Sequence, residues 1–218
     1  GILSGLLAAV IKNTTYFFQQ QITNVNIEYQ SLFYFIVPIR GILLTLAIIR
    51  YGIKKPVNHG IPSVLYALSK RKGIMPAYQM FASVFTAPIT IGFGGSAGLE
   101  GPTVSGGASI ASNLSRLLHL NQATRSLLIG CAAAGAMSAI FKAPIAAIIF
   151  AIEVFSLDLT LASLLPLLFA SISALLTTYF FFGSTQLLPF ELKDIFNLNH
   201  LGYYMIFGII AGLGSVYF

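Results

Sequence analysis

Charge is scarce in this sequence. Only 8% of its 218 residues are Asp, Glu, Lys or Arg, while 56% are hydrophobic; soluble domains carry about 25% charged residues. A chain so poor in charge cannot cover itself with polar surface, which excludes a water-soluble globule. Tryptophan is absent and cysteine occurs once, at Cys131. A single thiol permits no internal disulfide and no cysteine metal site. Acid is rarer still than base, with six carboxylates against twelve Lys and Arg. The resulting charge of +6 does not mark a nucleic-acid binder, because the aromatics lie in the apolar runs and not among the cations.

What is abundant is uninterrupted apolar chain. Leu159 to Phe190 runs for 32 residues without a charge, and roughly 20 apolar residues cross a bilayer. The chain therefore reads as an all-α, polytopic transmembrane protein. Helices are expected near Gly1–Val10, Leu32–Tyr51, Tyr78–Ile91, Thr103–Leu118, Arg125–Ser138, Pro144–Ser156, Leu159–Phe182 and Leu201–Phe218. A further short helix opens at Pro62. Cations collect at segment ends. Lys54 and Lys55, then Lys70, Arg71 and Lys72, follow an apolar run, and the positive-inside rule assigns this connection to the cytoplasm. No soluble linker divides the chain, so one transmembrane domain, 1–218, is expected. The apolar stretches at both ends, "GILSGLLAAVI" and "MIFGIIAGLGSVYF", suggest part of a longer protein.

Several of these segments are too short to cross at about 1.5 Å per residue, and Gly and Pro break them at "NHGIP", "LEGP" and "FKAP". Broken helices survive at membrane depth where they line an aqueous cavity or are buried in protein. In transporters such half-helices aim their N-termini at the substrate.

The stretch "TIGFGGSAGLEGPTVSGGAS" holds seven of the 20 glycines between Gly92 and Gly107, and one carboxylate, Glu100. Pro102 favours a helix start, whose N-terminus carries about half a positive charge and binds anions through backbone N–H groups. Glu100 is expected one residue outside that helix, where its carboxylate would compete with a dissolved anion and leave on protonation. An ionisable group inside a membrane is a functional candidate by default; the alternative role is a plain helix cap. "NHGIPSVLYALSKRKG" repeats the device, with His59 and Gly60 before Pro62 and the cations Lys70, Arg71 and Lys72 at the helix's C-terminal end. In "FKAPIAAIIFAIEVF", Lys142 and Glu153 are expected on one face of an apolar helix. Lys142 either adds positive potential near the anion path or snorkels toward the interface.

Two motif matches point elsewhere. Gly92 to Ala97 fits G-x-G-x-x-A, but no acid follows at ~20 residues in a βαβ setting. Gly94 to Gly98 fits G-x-S-x-G, and Ser96, Asp158 or Asp194, and His200 fall in the hydrolase order. A membrane-embedded serine hydrolase using Ser96 is thus a remote alternative, requiring strands that the charge-free runs do not supply.

Three ordered stretches carry a family resemblance. "GSAGLEGPTVSGGASIAS" resembles the G-x-E-G-P motif of the CLC family of chloride channels and chloride/proton exchangers. "NHGIPSVL" resembles its G-S-G-I-P element, and "GCAAAGAMSAIFKAPIAAIIFAIEVF" its A-A-A-G…F-N-A-P segment. The resemblance implies an inverted-repeat fold of short, broken and re-entrant helices, of which this chain holds the first repeat. It also implies a homodimer with one pore per subunit, in a cell membrane if the source is prokaryotic. It makes Glu100 the gating glutamate, with Leu99, Glu100 and Gly101 at an outer anion site and His59, Gly60 and Ile61 at an inner one. His59 replaces a family serine, Asn58 a glycine, Leu99 an arginine and Lys142 an asparagine. Val154 stands where exchangers often carry a second glutamate, so a chloride channel is the expected function and a chloride/proton antiporter the alternative. Chloride or another small anion is the expected substrate, without cofactor or metal and without catalytic residues.

Overall fold

Backbone groups that cross hydrocarbon must pair with one another, and here they pair in helices. The computed structural model describes residues 1–23, 30–57, 60–158, 160–183 and 200–217, and no strand occurs among them. In chain order the helices are α1 (Ile2–Thr23), α2 (Gln30–Ala47), α3 (Ile61–Lys70), α4 (Tyr78–Gly92), α5 (Glu100–Leu117), α6 (Gln122–Phe141), α7 (Pro144–Phe155), α8 (Leu161–Phe182) and α9 (Leu201–Tyr217). A π-helical turn, Ile48–Ile53, continues α2. The all-helical expectation holds. The chain forms two compact units, Gly1–Leu187 and Leu188–Phe218. The first contains α1 to α8, and the second contains the apolar helix α9.

Among the described residues, three stretches are long and apolar enough to span a membrane: Ile36–Ile53, Gln122–Phe141 and Leu161–Phe181. They differ in burial. Of the α6 span 61% is enclosed by protein, against 11% for the first and 28% for the third. Helix α6 is accordingly the axis of the first unit, touching α1, α5, α7 and α8. Its core is "CAAAGAMSA", and Ala133, Ala134 and Ala136 have no exposed surface. Between helices in lipid there is little hydrophobic drive, so small residues that let backbones touch carry the packing. A Cβ at Gly107 of α5 would stand 3.2 Å from the Ala132 carbonyl oxygen, and one at Gly5 of α1 only 2.7 Å from that of Ala174 in α8.

Polar side chains within the bundle are satisfied locally. The hydroxyls of Thr15, Thr86 and Ser171 donate to the carbonyls of Ile11, Ala82 and Leu167, each one turn back. Ser138 instead reaches across from α6 to the Ser171 carbonyl of α8 at 2.8 Å. Helix α1 continues through "KNTTYFFQQQ" to Thr23, beyond the expected end at Val10.

Two expectations about helix ends are corrected. Helix α5 opens at Glu100, not at Pro102. The Thr103 N–H already bonds to the Leu99 carbonyl at 3.1 Å, and a proline within the first turn has no intrahelical bond to forfeit. Lys142 and Glu153 do not share a helix. Lys142 is the C-cap of α6 in the left-handed conformation, with φ 56°, and α7 begins afresh at Pro144.

The α1–α8 contact is testable in the full-length protein. Gly5→Ala should destabilise it by about 1–3 kcal/mol, the usual cost of overpacking, lowering the thermal midpoint in detergent. An unchanged midpoint would mean that the two helix backbones are not in contact.

Candidate functional site

Two helix N-termini meet. Gly60 precedes α3 with φ 90° and ψ −179°, a backbone conformation that only glycine adopts cheaply. Pro62 sits in the first turn of α3. The Ser63 hydroxyl donates to the Gly60 carbonyl at 2.8 Å and lies 3.4 Å from the Ser105 hydroxyl of α5. Opposite it, a Cβ at Gly101 would come within 3.2 Å of the Gly60 Cα. The missing Cβ of Gly101 and the positive φ of Gly60 favour this approach of the α3 and α5 N-termini. The two helices then run the same way, because the residues following α3 pack against the C-terminal half of α5. Ser112 accepts from the Met75 N–H at 2.8 Å and donates to the Gly73 carbonyl at 2.6 Å. Their positive ends therefore open into one place.

Leu99 holds the α5 terminus in position. It packs against Ala8, Ala139, Ile140 and Ala174, thus against α1, α6 and α8. Ile61, the first residue of α3, is half-buried against the main core cluster. Glu100 is half-buried in the first turn of α5, and no side chain caps that terminus. Its carboxylate folds back over Gly98 and fills the space that a Cβ there would take. Among the described residues it accepts no hydrogen bond and forms no ion pair. His59 lies outside the described residues, as does Asn58.

Beside the paired termini is a cavity of about 300 Å³, whose lining includes Gly60, Gly98, Pro102, Thr45, Thr86 and Thr90. The Thr45 and Thr90 hydroxyls are 3.0 Å apart. Sequence reasoning missed these threonines and the Ser63–Ser105 pair. The one legible signal was Ser63, three residues after Gly60 at a helix start. The threonines come from α2 and α4, and no motif connects them to "LEGP".

The remaining candidates have other surroundings. The Lys142 ammonium donates to the Gly183 carbonyl at 2.7 Å and stands 4.5 Å over the Tyr179 ring. It thus neutralises the negative end of α8. Glu153 is exposed on α7, while Val154 packs partly buried against the core. Ser96 is exposed in the irregular stretch between α4 and α5. The nucleophile-elbow reading requires a strand before that serine, and an α-helix precedes it. Asp158 is exposed after α7, and His200 belongs to the second unit. No metal-ligating group of three or more His, Cys, Asp or Glu occurs among the described residues.

A family model described as Voltage gated chloride channel matches residues 40–218. The chain belongs to this family. It is 28% identical over 184 residues to a ClcB-like protein of Ralstonia nicotianae that is named as a chloride channel, covering 83% of this chain and 43% of that protein. It is 27% identical over 162 residues to the H(+)/Cl(-) exchange transporter ClcA of Vibrio cholerae, covering 73% of this chain and 35% of the relative. Among solved structures, a CLC-type fluoride/proton antiporter superposes with a TM-score of 0.72 at 26% identity, over 98% of this chain and 52% of that one. The chain thus spans about half the length of that structure and less than half of the two relatives. The expected family and all-helical fold are both established, and the family is one of membrane transport proteins.

The position of the Glu100 carboxylate over Gly98 yields a test. Gly98→Ala should expel the flexible carboxylate from its resting place without disturbing backbone. In the full-length protein, anion flux should rise severalfold at neutral pH and lose most of its dependence on acidity. An unaltered pH profile would show that the carboxylate rests elsewhere.

Proposed function

We propose that this chain is the first half of a membrane protein that carries chloride, or a similar small anion, past Glu100 in exchange for protons. The observation behind this reading is the close approach of Gly60 and Gly101, which turns two positive helix ends toward one place with an unbonded carboxylate beside them. Backbone N–H groups at a helix terminus bind anions without a basic side chain, and weak binding suits a path that the ion must also leave. A dissolved anion and the Glu100 carboxylate would compete for the same donors. Protonation removes the charge of Glu100 and with it the carboxylate's claim on that position. An acid that takes up a proton whenever it yields its place to an anion is the minimal element of exchange. The mechanism calls for no cofactor. A homodimer in the cell membrane of a prokaryotic host, and inner-site roles for His59, Gly60 and Ile61, belong to the same proposal.

Exchange is preferred to the channel mode that Val154 suggested. Among the relatives, the Vibrio cholerae protein is named as an exchange transporter and the matched solved structure as an antiporter. Exposed Glu153 remains available to whatever packs on α7 in the whole protein. Intramembrane proton routes are built from ionisable residues, and the other half can contribute them.

The test uses the full-length protein in liposomes with an outward chloride gradient. Uphill proton uptake is expected, and chloride flux should grow as the pH falls because protonation frees the site. Glu100→Gln should abolish proton movement while chloride flux persists at every pH. Chloride movement without proton uptake would favour the channel. Intact pH dependence in Glu100→Gln would remove Glu100 from the path.

A further inference from the structure

The negative ends of α3 and α5 also lie side by side, at the level opposite to the paired N-termini. Here four cations gather. Lys70, Arg71, Lys72 and Arg116 surround a shallow basin of about 420 Å³, floored by Ile74, Met75 and Pro76. None of the three carboxylates in the described residues, Glu100, Glu153 and Asp158, contributes to it.

The side chains of these cations have no hydrogen-bond partner among the described residues. A neighbouring cation shows what a structural role looks like. Arg125 donates to the Ser115 hydroxyl at 3.1 Å, to the Lys72 carbonyl at 3.1 Å and to the Leu120 carbonyl at 3.0 Å. Helix-end carbonyls are satisfied by backbone as well, with the Arg71 and Gly73 N–H groups on the Ala67 carbonyl and the Leu120 N–H on that of Ser115. Among the described residues, Lys70, Lys72 and Arg116 make no hydrogen bond or ion pair. Arg71 makes only a stacking contact, 5.3 Å over the exposed Tyr66 ring.

The scaffold beneath them is rigid. Lys72 and Gly73 turn the chain with φ of 52° and 75°. Buried hydroxyls then clamp the following residues to α5: Ser112 donates to the Gly73 carbonyl and Ser109 to that of Pro76. Exposed apolar side chains border the cations: Leu117 is 74% exposed, Leu118 56% and Ile74 41%. A soluble phosphate compound would be met by cations alone. Cations beside exposed leucines match a molecule with a charged head and a hydrocarbon tail.

We propose that this basin seats the phosphate headgroup of an anionic glycerophospholipid from the surrounding bilayer, with Lys70, Lys72 and Arg116 holding the phosphate and Leu117 and Leu118 against the acyl chains. The site is separate from the anion path, since it occupies the opposite ends of the same two helices. Basic clusters at the cytoplasmic edge of spanning helices attract anionic lipid, and the excess of cations places this connection on that side. Tyr66 sits at the interfacial level where tyrosines collect.

The experiment takes the full-length protein from detergent into nanodiscs of phosphatidylcholine doped with phosphatidylglycerol, and counts retained lipid by native mass spectrometry. The parent should retain phosphatidylglycerol in preference to phosphatidylcholine. Joint substitution of Lys70→Gln, Lys72→Gln and Arg116→Gln should cut that preference roughly tenfold or more, since each cation near an anionic surface contributes about 1 kcal/mol. Lys70→Arg, Lys72→Arg and Arg116→Lys together should restore it, which a folding defect would not allow. Lys54→Gln with Lys55→Gln should leave it intact. Equal loss in that control would reduce the basin to general surface charge and overturn the proposal. So would absence of any lipid preference in the parent, the result if the other half of the protein covers the basin. Inorganic pyrophosphate binding at the basin without lipid retention would also overturn it, identifying a soluble phosphate site instead.

Discussion

The contact between Gly60 and Gly101 is the constraint on which the site depends. Two helix N-termini repel one another, because each carries about half a positive charge. They are brought together because Gly101 has no Cβ, because Gly60 accepts a positive φ that other residues adopt only at a cost, and because both helices are anchored at a distance. The α5 start is held by Leu99 among alanines of three other helices. The residues after α3 are clamped by Ser109 and Ser112. The unfavourable field created between the termini is what an anion, or the Glu100 carboxylate, would relieve. The packing of the small-residue core thus does electrostatic work at a point where no basic side chain is required.

That arrangement requires α6 to be slender. Alanine, glycine and cysteine along its core let α5 and α8 approach to backbone contact. In lipid such contact substitutes van der Waals packing for the hydrophobic drive of a soluble core. The same slenderness explains why serines and threonines are tolerated throughout. Thr15, Thr86 and Ser171 bond to a carbonyl of their own helix, Ser138 to one of the next, and Ser109 and Ser112 to the chain that follows α3.

The two ends of α3 and α5 carry opposite tasks. Their N-termini are bare, with a carboxylate in reach. Their C-termini are surrounded by cations, of which Arg125 fastens the connection, Arg71 stacks on Tyr66 and the others form no hydrogen bond or ion pair among the described residues. In Lys142 the same logic acts a third time, a cation spent on the negative end of α8. Charge is rare in this chain, and several of its cations stand at helix ends. The departure at position 142 follows this rule as well: the lysine serves the C-terminal end of α8.

Much was legible from the residues alone. Long charge-free runs determined a helical membrane protein, because hydrocarbon leaves the backbone no other partner than itself. Gly-Pro breaks located the starts of α3, α5 and α7 to within two residues, since proline and glycine act through local φ and ψ. The motif order identified the family. Tertiary structure alone decided what is non-local. The sequence contains no trace of the Gly101 backbone packing on Gly60, 41 positions away, of the threonines that α2 and α4 bring to the cavity, or of the bond from Lys142 to Gly183. It also placed Lys142 and Glu153 on one helix face, because periodicity cannot see that a residue with φ 56° ends one helix before Pro144 begins the next. Local propensity is written in neighbouring residues; which helix ends meet depends on how closely whole backbones can pack.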